Sequence, residues 1–483
     1  MSYSDHISGL STDFYELTMA QGYFLADANM PAVFDMFFRS QPFGGGFSVF
    51  CGLHPLLEIL QSLRFSKQDI EYLESTGLFV PEFLDYLKDF RFRGDVYGMS
   101  EGSIVFPNEP LLRVHAPIIE GQLIETLVLN IINFQTLIAT KTARIYEASD
   151  GGTILEFGFR RAQGLDGAFS ATRAAYAGGA AATSNTHAGR VLGIPAKGTM
   201  AHSWVMAFDS ELESFETYAA HYPDDTILLI DTYDTLGSGI ENAVKVGKRL
   251  MKGGKPFGVR LDSGDLSYLS KEVRKRLDRA GLEQAKIAAS NELNEEIIRQ
   301  LKIDGSPIDI WGVGTHMVTG GNDASLTGVY KLASKNLDGE DIPVLKISNN
   351  PEKTTNPGIK QVHRFFNKDG FPMADMLTFS NESIETGRPA VLYHPSVGFG
   401  YKELADYDIV IPMLEKRMDN GKICGKVPSL SEIRKQTINN LEHLDRSYKR
   451  LVNPHRYKVS LSYRLMSEKK RLMGGTAQYG GSK

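Results

Sequence analysis

The sequence predicts an α/β protein in which an irregular βα barrel, residues 151–338, is joined to a second α/β sandwich-like domain built from both chain ends, 1–150 and 339–483. Three observations lead there. Beyond residue 150, apolar runs recur at roughly thirty-residue spacing, each followed by a polar cluster and a helical stretch, which is the signature of βα units around a parallel sheet. The repeat is missing before about Gly151 and after about Asp338. Within it, residues 156–203 gather aromatic rings, the adjacent guanidiniums of Arg160 and Arg161 and, at the end of the passage, His202.

Taken in order, residues 32–38 read as a strand. The most apolar stretch, 123–139, reads as a buried helix rather than a membrane span, because Glu125, Asn130, Asn133 and Gln135 interrupt it. Residues 154–159 read as a buried strand, at whose end Phe157 or Phe159 could face a flat ring and Arg160 or Arg161 an anion; equally, one arginine could cap a helix or pair with Glu156. The run 171–189 is crowded with small residues, which permit close packing and close approach of backbone amides. Residues 191–198 read as a short strand leading through Thr199 to His202. A histidine on such a turn can be a general base, a metal ligand or a phosphate acceptor, or simply a hydrogen-bonded structural group.

The next units repeat the pattern. Strand 226–230 runs into Asp231, Thr232, Tyr233 and Asp234 and then a helix over 239–251. Strand 257–261 carries Arg260 into Asp262, Ser263, Gly264 and Asp265, followed by a helix over 266–280. Strand 286–289 delivers Ser290 and Asn291 before a helix over 295–301; strand 308–311 ends in the turn GVGT, 312–315; and 326–332 reads as a further strand. Barrel active sites lie at the C-terminal strand ends, and the last loops often hold phosphate, which sets Gly312, Gly314 and Thr315, with Gly320 and Gly321, on such a group. Asp231, Asp234, Asp262 and Asp265 could hold Mg²⁺, which takes one or two carboxylates plus waters and substrate phosphates, or could cap helices.

The motifs TDFYELTMAQGYF, FDMFFRSQPFGGGFSVFCGL, EFGFRRAQG, GTMAHSW, VRLDSGDL and GVGTHMVTGG follow one another from Ser11 to Gly321. In that order they resemble the nicotinate phosphoribosyltransferase family, of type II phosphoribosyltransferase fold. The resemblance implies ATP-coupled formation of nicotinate mononucleotide and diphosphate from nicotinate and 5-phosphoribosyl 1-diphosphate, the first step of NAD salvage from nicotinate, by a cytoplasmic enzyme formally classed as a C–N ligase. It implies that Tyr15, from the partner subunit of a homodimer with shared sites, and Phe157 cover the two faces of the pyridine ring. Arg260 and Thr199 match nicotinate contacts; Arg160, Gly314, Thr315 and Arg39 match the phosphoribosyl diphosphate site, Arg39 by reaching the neighbouring subunit's ligand. His202 matches the histidine phosphorylated by ATP. Departure of diphosphate leaves positive charge on the sugar, which a nearby carboxylate such as Asp262 could stabilise, and Asp262 with Asp231 could take Mg²⁺.

The amide-using relative, nicotinamide phosphoribosyltransferase, places an acidic residue against the carboxamide; the corresponding stretch here, 183–186 (TSNT), is neutral and tolerates a carboxylate. An inactive metabolite-binding protein would have no need of His202 and the acidic strand ends. A Schiff-base aldolase would use a strand-end lysine, for which Lys197 and Lys331 are the candidates. The net charge of −5 gives no support to a nucleic-acid surface. Two cysteines, Cys51 and Cys424, form neither a disulfide framework nor a zinc cluster and fit a reducing compartment. The N-terminus lacks the basic and apolar regions of a signal peptide. Segment 349–358 reads as a turn-rich loop and 474–483 as a mobile tail.

Overall fold

The computed structural model describes residues 7–348, 353–396 and 400–475. Residues 1–6, the first four residues of the 349–358 loop and the tail beyond 475 lie outside the described residues. The chain forms two compact units. The first comprises residues 1–137, 325–429 and 436–483, and the second 138–324 with 430–435.

The first unit is built on two large sheets, beside a two-stranded one of Ser48–Val49 with Ile104–Val105. A seven-stranded antiparallel sheet runs in the order 340–343, 328–337, 31–38, 112–117, 95–98, 415–419, 422–423. A six-stranded sheet runs 401–404, 390–393, 459–461, 372–379, 360–366, 409–412. The strand Pro31–Phe38 is almost wholly apolar because it lies centrally in its sheet. Its Phe34 ring stacks on Tyr330 with centroids 4.9 Å apart. Its one charge, Asp35, is buried and paired with Lys360 at 2.7 Å, as a buried carboxylate must be. The apolar stretch expected as one buried helix, 123–139, starts at the end of helix Ile118–Leu123 and otherwise lies in Glu125–Ala148, and the boundary between the units falls inside the latter helix. Among the described residues no helix is long and apolar enough to cross a membrane.

The second unit is a parallel sheet of six strands, ordered 182–183, 153–156, 310–313, 286–289, 257–261, 226–229. It curls into a half-barrel, and its crossover helices follow from their sequence period. Helix Ile240–Lys252 buries Ile240, Ala243, Val246 and Gly247, one face of a 3.6-residue repeat. Gly247 is small because the Phe257 ring fills the space its Cβ would take. Asp265 caps helix Leu266–Arg279 by accepting from Tyr268 N at 3.0 Å, and Asn294 caps Glu295–Ile303 through Ile297 N at 2.8 Å.

Three expected strands are corrected. The run 154–159 is a strand only over Thr153–Glu156; Gly158 then turns the chain, its amide held by the Glu156 carboxylate, into a 3₁₀ turn over Phe159–Arg161. Residues 191–198 do not form a strand. Asn185 caps a helix over Thr186–Leu192, Gly193 closes it at φ 68°, and only Ala196 bridges to Thr183. The strand expected at 326–332 is Gly328–Leu337, and it leaves the parallel sheet to pair antiparallel with Pro31–Phe38 in the first unit. No local apolar pattern distinguishes these two destinations.

Candidate active site

Parallel strands all end on one edge, so the residues just past each strand meet there. In the second unit that edge carries Asp231, Asp262, Ser290, Gly314, Phe157 and Ser184 in sheet order. It is laced by hydrogen bonds from one strand end to the next. Asp231 Oδ2 accepts from Asp262 N at 2.9 Å and from Ser263 Oγ at 2.6 Å. Ser290 Oγ donates to Asp262 Oδ1, and its backbone amide to Leu261 O at 2.9 Å. Phe157 N donates to Val313 O at 2.8 Å, and Ser184 N to Glu156 O at 2.8 Å.

Arg260, inside strand Phe257–Leu261, points its guanidinium to this edge. Its Nη1 donates to Thr199 Oγ1, its Nη2 is 3.9 Å from Asp262 Oδ2, and its buried Nε has no protein partner. Burial draws its pKa below the ordinary arginine value and the neighbouring Arg160 charge acts the same way, opposed by Asp262 and Asp231. A buried cation held like this stands to gain from an incoming anion. Arg160 and Arg161 are exposed, and neither pairs with Glu156, whose carboxylate takes Thr172, Thr183 and Gly158 instead.

His202 begins the short helix His202–Met206. Its Nδ1 lies 3.1 Å from Thr232 Oγ1 and its Nε2 3.7 Å from Asp262 Oδ2, with the ring partly exposed. Phe157 lies against Gly312, where a Cβ would stand 2.7 Å from the ring, and Gly314 takes φ −113°, ψ −102°, where a Cβ would stand 3.2 Å from the Phe157 carbonyl oxygen. Thr315 opens the helical turn that follows.

The four acidic candidates separate. Asp265 and Asp234 are caps, the latter accepting from Gly237 N at 2.9 Å. Asp231 and Asp262 are left at the edge, Asp231 with a buried Oδ1 that has no partner. Among the described residues no three His, Cys, Asp or Glu side chains form a metal-binding group. Two carboxylates fit an ion such as Mg²⁺, whose remaining ligands are water and substrate phosphate.

Phe157, Arg160, Thr199, His202, Asp231, Arg260, Asp262, Gly314 and Thr315 thus all belong to the second unit, whereas Tyr15 and Arg39 belong to the first. Tyr15 stands on helix Phe14–Leu25 and is 48% exposed, beside exposed Phe14 and Met19. Arg39 follows strand Pro31–Phe38 and lines a cavity of ≈ 1380 Å³ inside the first unit, with Lys353, Arg456 and Lys469. Of the Schiff-base candidates, Lys197 is paired with Asp225 at 2.7 Å, and Lys331 lies in the first unit, 3.6 Å from Glu125. Sequence reasoning missed the hold of Thr232 on His202 and of Ser290 on Asp262. The available signal was position alone, since each is a hydroxyl residue within three residues of a strand end.

Family models match along the chain: the nicotinate phosphoribosyltransferase N-terminal domain over residues 10–133, the nicotinate phosphoribosyltransferase family over 153–370 and the C-terminal domain over 359–469. Nicotinate phosphoribosyltransferase of Bacillus subtilis (strain 168) is 41% identical over 469 residues, covering 97% of this chain and 95% of that relative. Nicotinate phosphoribosyltransferase pncB2 of Mycobacterium tuberculosis is 46% identical over 364 residues, 75% of this chain and 77% of that one. The crystal structure of human nicotinic acid phosphoribosyltransferase superposes with a TM-score of 0.83 at 31% identity, covering 95% of this chain and 99% of that one.

Proposed function

Since the chain belongs to the nicotinate phosphoribosyltransferase family, we propose that it joins nicotinate to 5-phosphoribosyl 1-diphosphate, releasing diphosphate, and that hydrolysis of ATP through a phosphohistidine drives the reaction. The observation that carries the nicotinate reading is the buried, partly unpartnered guanidinium of Arg260. A flat ring bearing a carboxylate suits it, with Thr199 beside the charge and Phe157 beneath the ring. The exposed, neutral Ser184 puts no carboxylate against the substrate's own.

On this reading the phosphoribosyl diphosphate lies along Arg160, Gly314 and Thr315, and the pyridine nitrogen attacks C1 as the C1–O bond to diphosphate breaks. Asp262, held by Ser290, faces the positive charge that develops on the sugar. Asp231 and Asp262 would hold Mg²⁺, which neutralises the diphosphate leaving group when bound. His202, oriented by Thr232, would take the γ-phosphoryl group of ATP and release ADP; water then removes the phosphoryl group as inorganic phosphate.

The direct test offers purified protein Mg²⁺, phosphoribosyl diphosphate and either nicotinate or nicotinamide, with and without ATP, and separates the products by chromatography. Mononucleotide from nicotinate, increased by ATP, is expected. Product from nicotinamide alone would transfer the protein to the amide-using reaction.

The exposed aromatic face of helix Phe14–Leu25 and the unpartnered Arg39 Nε support a homodimer whose sites take Tyr15 and Arg39 from the partner. Tyr15→Ala and Arg260→Ala proteins are each expected to be impaired, and mixed dimers of the two to regain part of the activity, because one of the two sites is then intact. Verified mixed dimers without recovery would place each site within one chain.

A further inference from the structure

Glu156 is 1% exposed, yet no cation pairs with it in the described residues; its carboxylate is met by three donors from three segments. Gly158 N donates to Oε1, while Thr172 Oγ1, on helix Gly164–Ala177, and Thr183 Oγ1, on the edge strand, donate to Oε2 at 3.0 and 2.5 Å. Both hydroxyls also accept from Asn185, through Nδ2 at 3.3 Å and the backbone amide at 2.9 Å. Their protons are therefore directed at the carboxylate, and only an acceptor-only group answers all three donors at once. Beyond Gly158 N, the turn is gripped from the other side: a Cβ on Gly158 would stand 2.2 Å from Val318, and the Phe157 ring rests on Gly312. Phe157 and the exposed Ser184 thus each lie next to a residue whose position the same carboxylate sets.

We propose that Glu156 is a positioning residue for the pyridine-ring side of the site, holding the Phe157–Gly158 turn and the Thr183–Ser184 edge in one arrangement. The inference rests on the nicotinate reading above, and it assigns to Glu156 no contact with substrate. Glu156→Ala removes the acceptor; Glu156→Gln keeps the shape but must set its amide NH₂ against either the Gly158 N–H or the two hydroxyl donors, so at least one of the present bonds is lost. The ring shelf loosens in the first variant and partly in the second, while the Arg260, Asp262 and His202 cluster, which shares none of these bonds, stays as it is.

The test measures steady-state kinetics and amide hydrogen exchange of the full-length wild-type, Glu156→Gln and Glu156→Ala proteins. The alanine variant is expected to raise the nicotinate KM by up to about ten-fold, the scale of one weakened aromatic contact, with kcat and the phosphoribosyl diphosphate KM retained, and the glutamine variant to fall between. Exchange at residues 157–161 and 183–185 is expected to quicken, with helices 240–252 and 266–279 unchanged. A nicotinate KM equal to wild type in Glu156→Ala overturns the inference, as does a parallel rise of both KM values with general loss of protection, which marks a merely structural group. Should the wild type make no mononucleotide from nicotinate, the functional reading falls separately, and unchanged exchange at 157–161 would then overturn the positioning role by itself.

Discussion

Arg260→Ala is expected to raise the nicotinate KM by about 10- to 150-fold, because a hydrogen bond to a charged group contributes about 1.5–3 kcal/mol and each 1.4 kcal/mol is a factor of ten. Phe157→Leu is expected to raise it by only about 2- to 12-fold, from the roughly 0.5–1.5 kcal/mol of an aromatic pair. The ranking follows from the site: Arg260 is buried with an unpartnered Nε, its guanidinium meets Thr199 and Asp262, and its strand Phe257–Leu261 carries no second cation to take over. Binding titrations and initial-rate kinetics with nicotinate read both variants. If Phe157→Leu does more damage than Arg260→Ala, stacking rather than charge recognition selects the substrate.

In His202→Ala, the ratio of mononucleotide formation with ATP to that without it is expected to fall to unity, while ATP-independent transfer persists. The imidazole sits between Thr232 and Asp262, and Asp262 retains its hold from Ser290 when the ring is removed. Arg260, Thr199 and Phe157, the side chains proposed to hold nicotinate, are untouched. The measurement pairs product chromatography with ADP release; undiminished ATP stimulation in the variant would remove His202 from the coupling and send the search for a phosphorylated group elsewhere. Loss of both activities together would instead assign His202 to the transfer step itself.

The legibility of this chain in its sequence was uneven for identifiable reasons. Strand Lys286–Ala289 and helix Leu266–Arg279 lie where their apolar period puts them, because each packs with a periodicity that its own side chains carry. The 191–198 segment misled because Val191 and Leu192 are apolar in either conformation, and the deciding interaction is the Asn185 side chain on the amide of Ala188. Gly328–Leu337 misled because a strand's sequence does not state which sheet it joins. At the edge of the half-barrel the residue types were legible, but their partners were not. An aspartate after a strand reads the same whether it caps a turn, as Asp234 does, or braces a neighbouring loop, as Asp231 does.

By itself the sequence determined the alternation of strand and helix, the family motifs and the set of chemically capable side chains, because these depend on residue identity and short-range spacing. The tertiary structure alone decided that Asp231 and Asp262, but not Asp234 and Asp265, remain at the strand ends, that Thr232 holds His202, and that Glu156 answers hydroxyls rather than arginines. Those outcomes turn on pairs such as Glu156 with Thr183 or Asp262 with Ser290, separated by tens of residues and joined only when parallel strands align their ends. Hydrogen-bond partnership is a property of distance in space, and the chain order does not encode it locally.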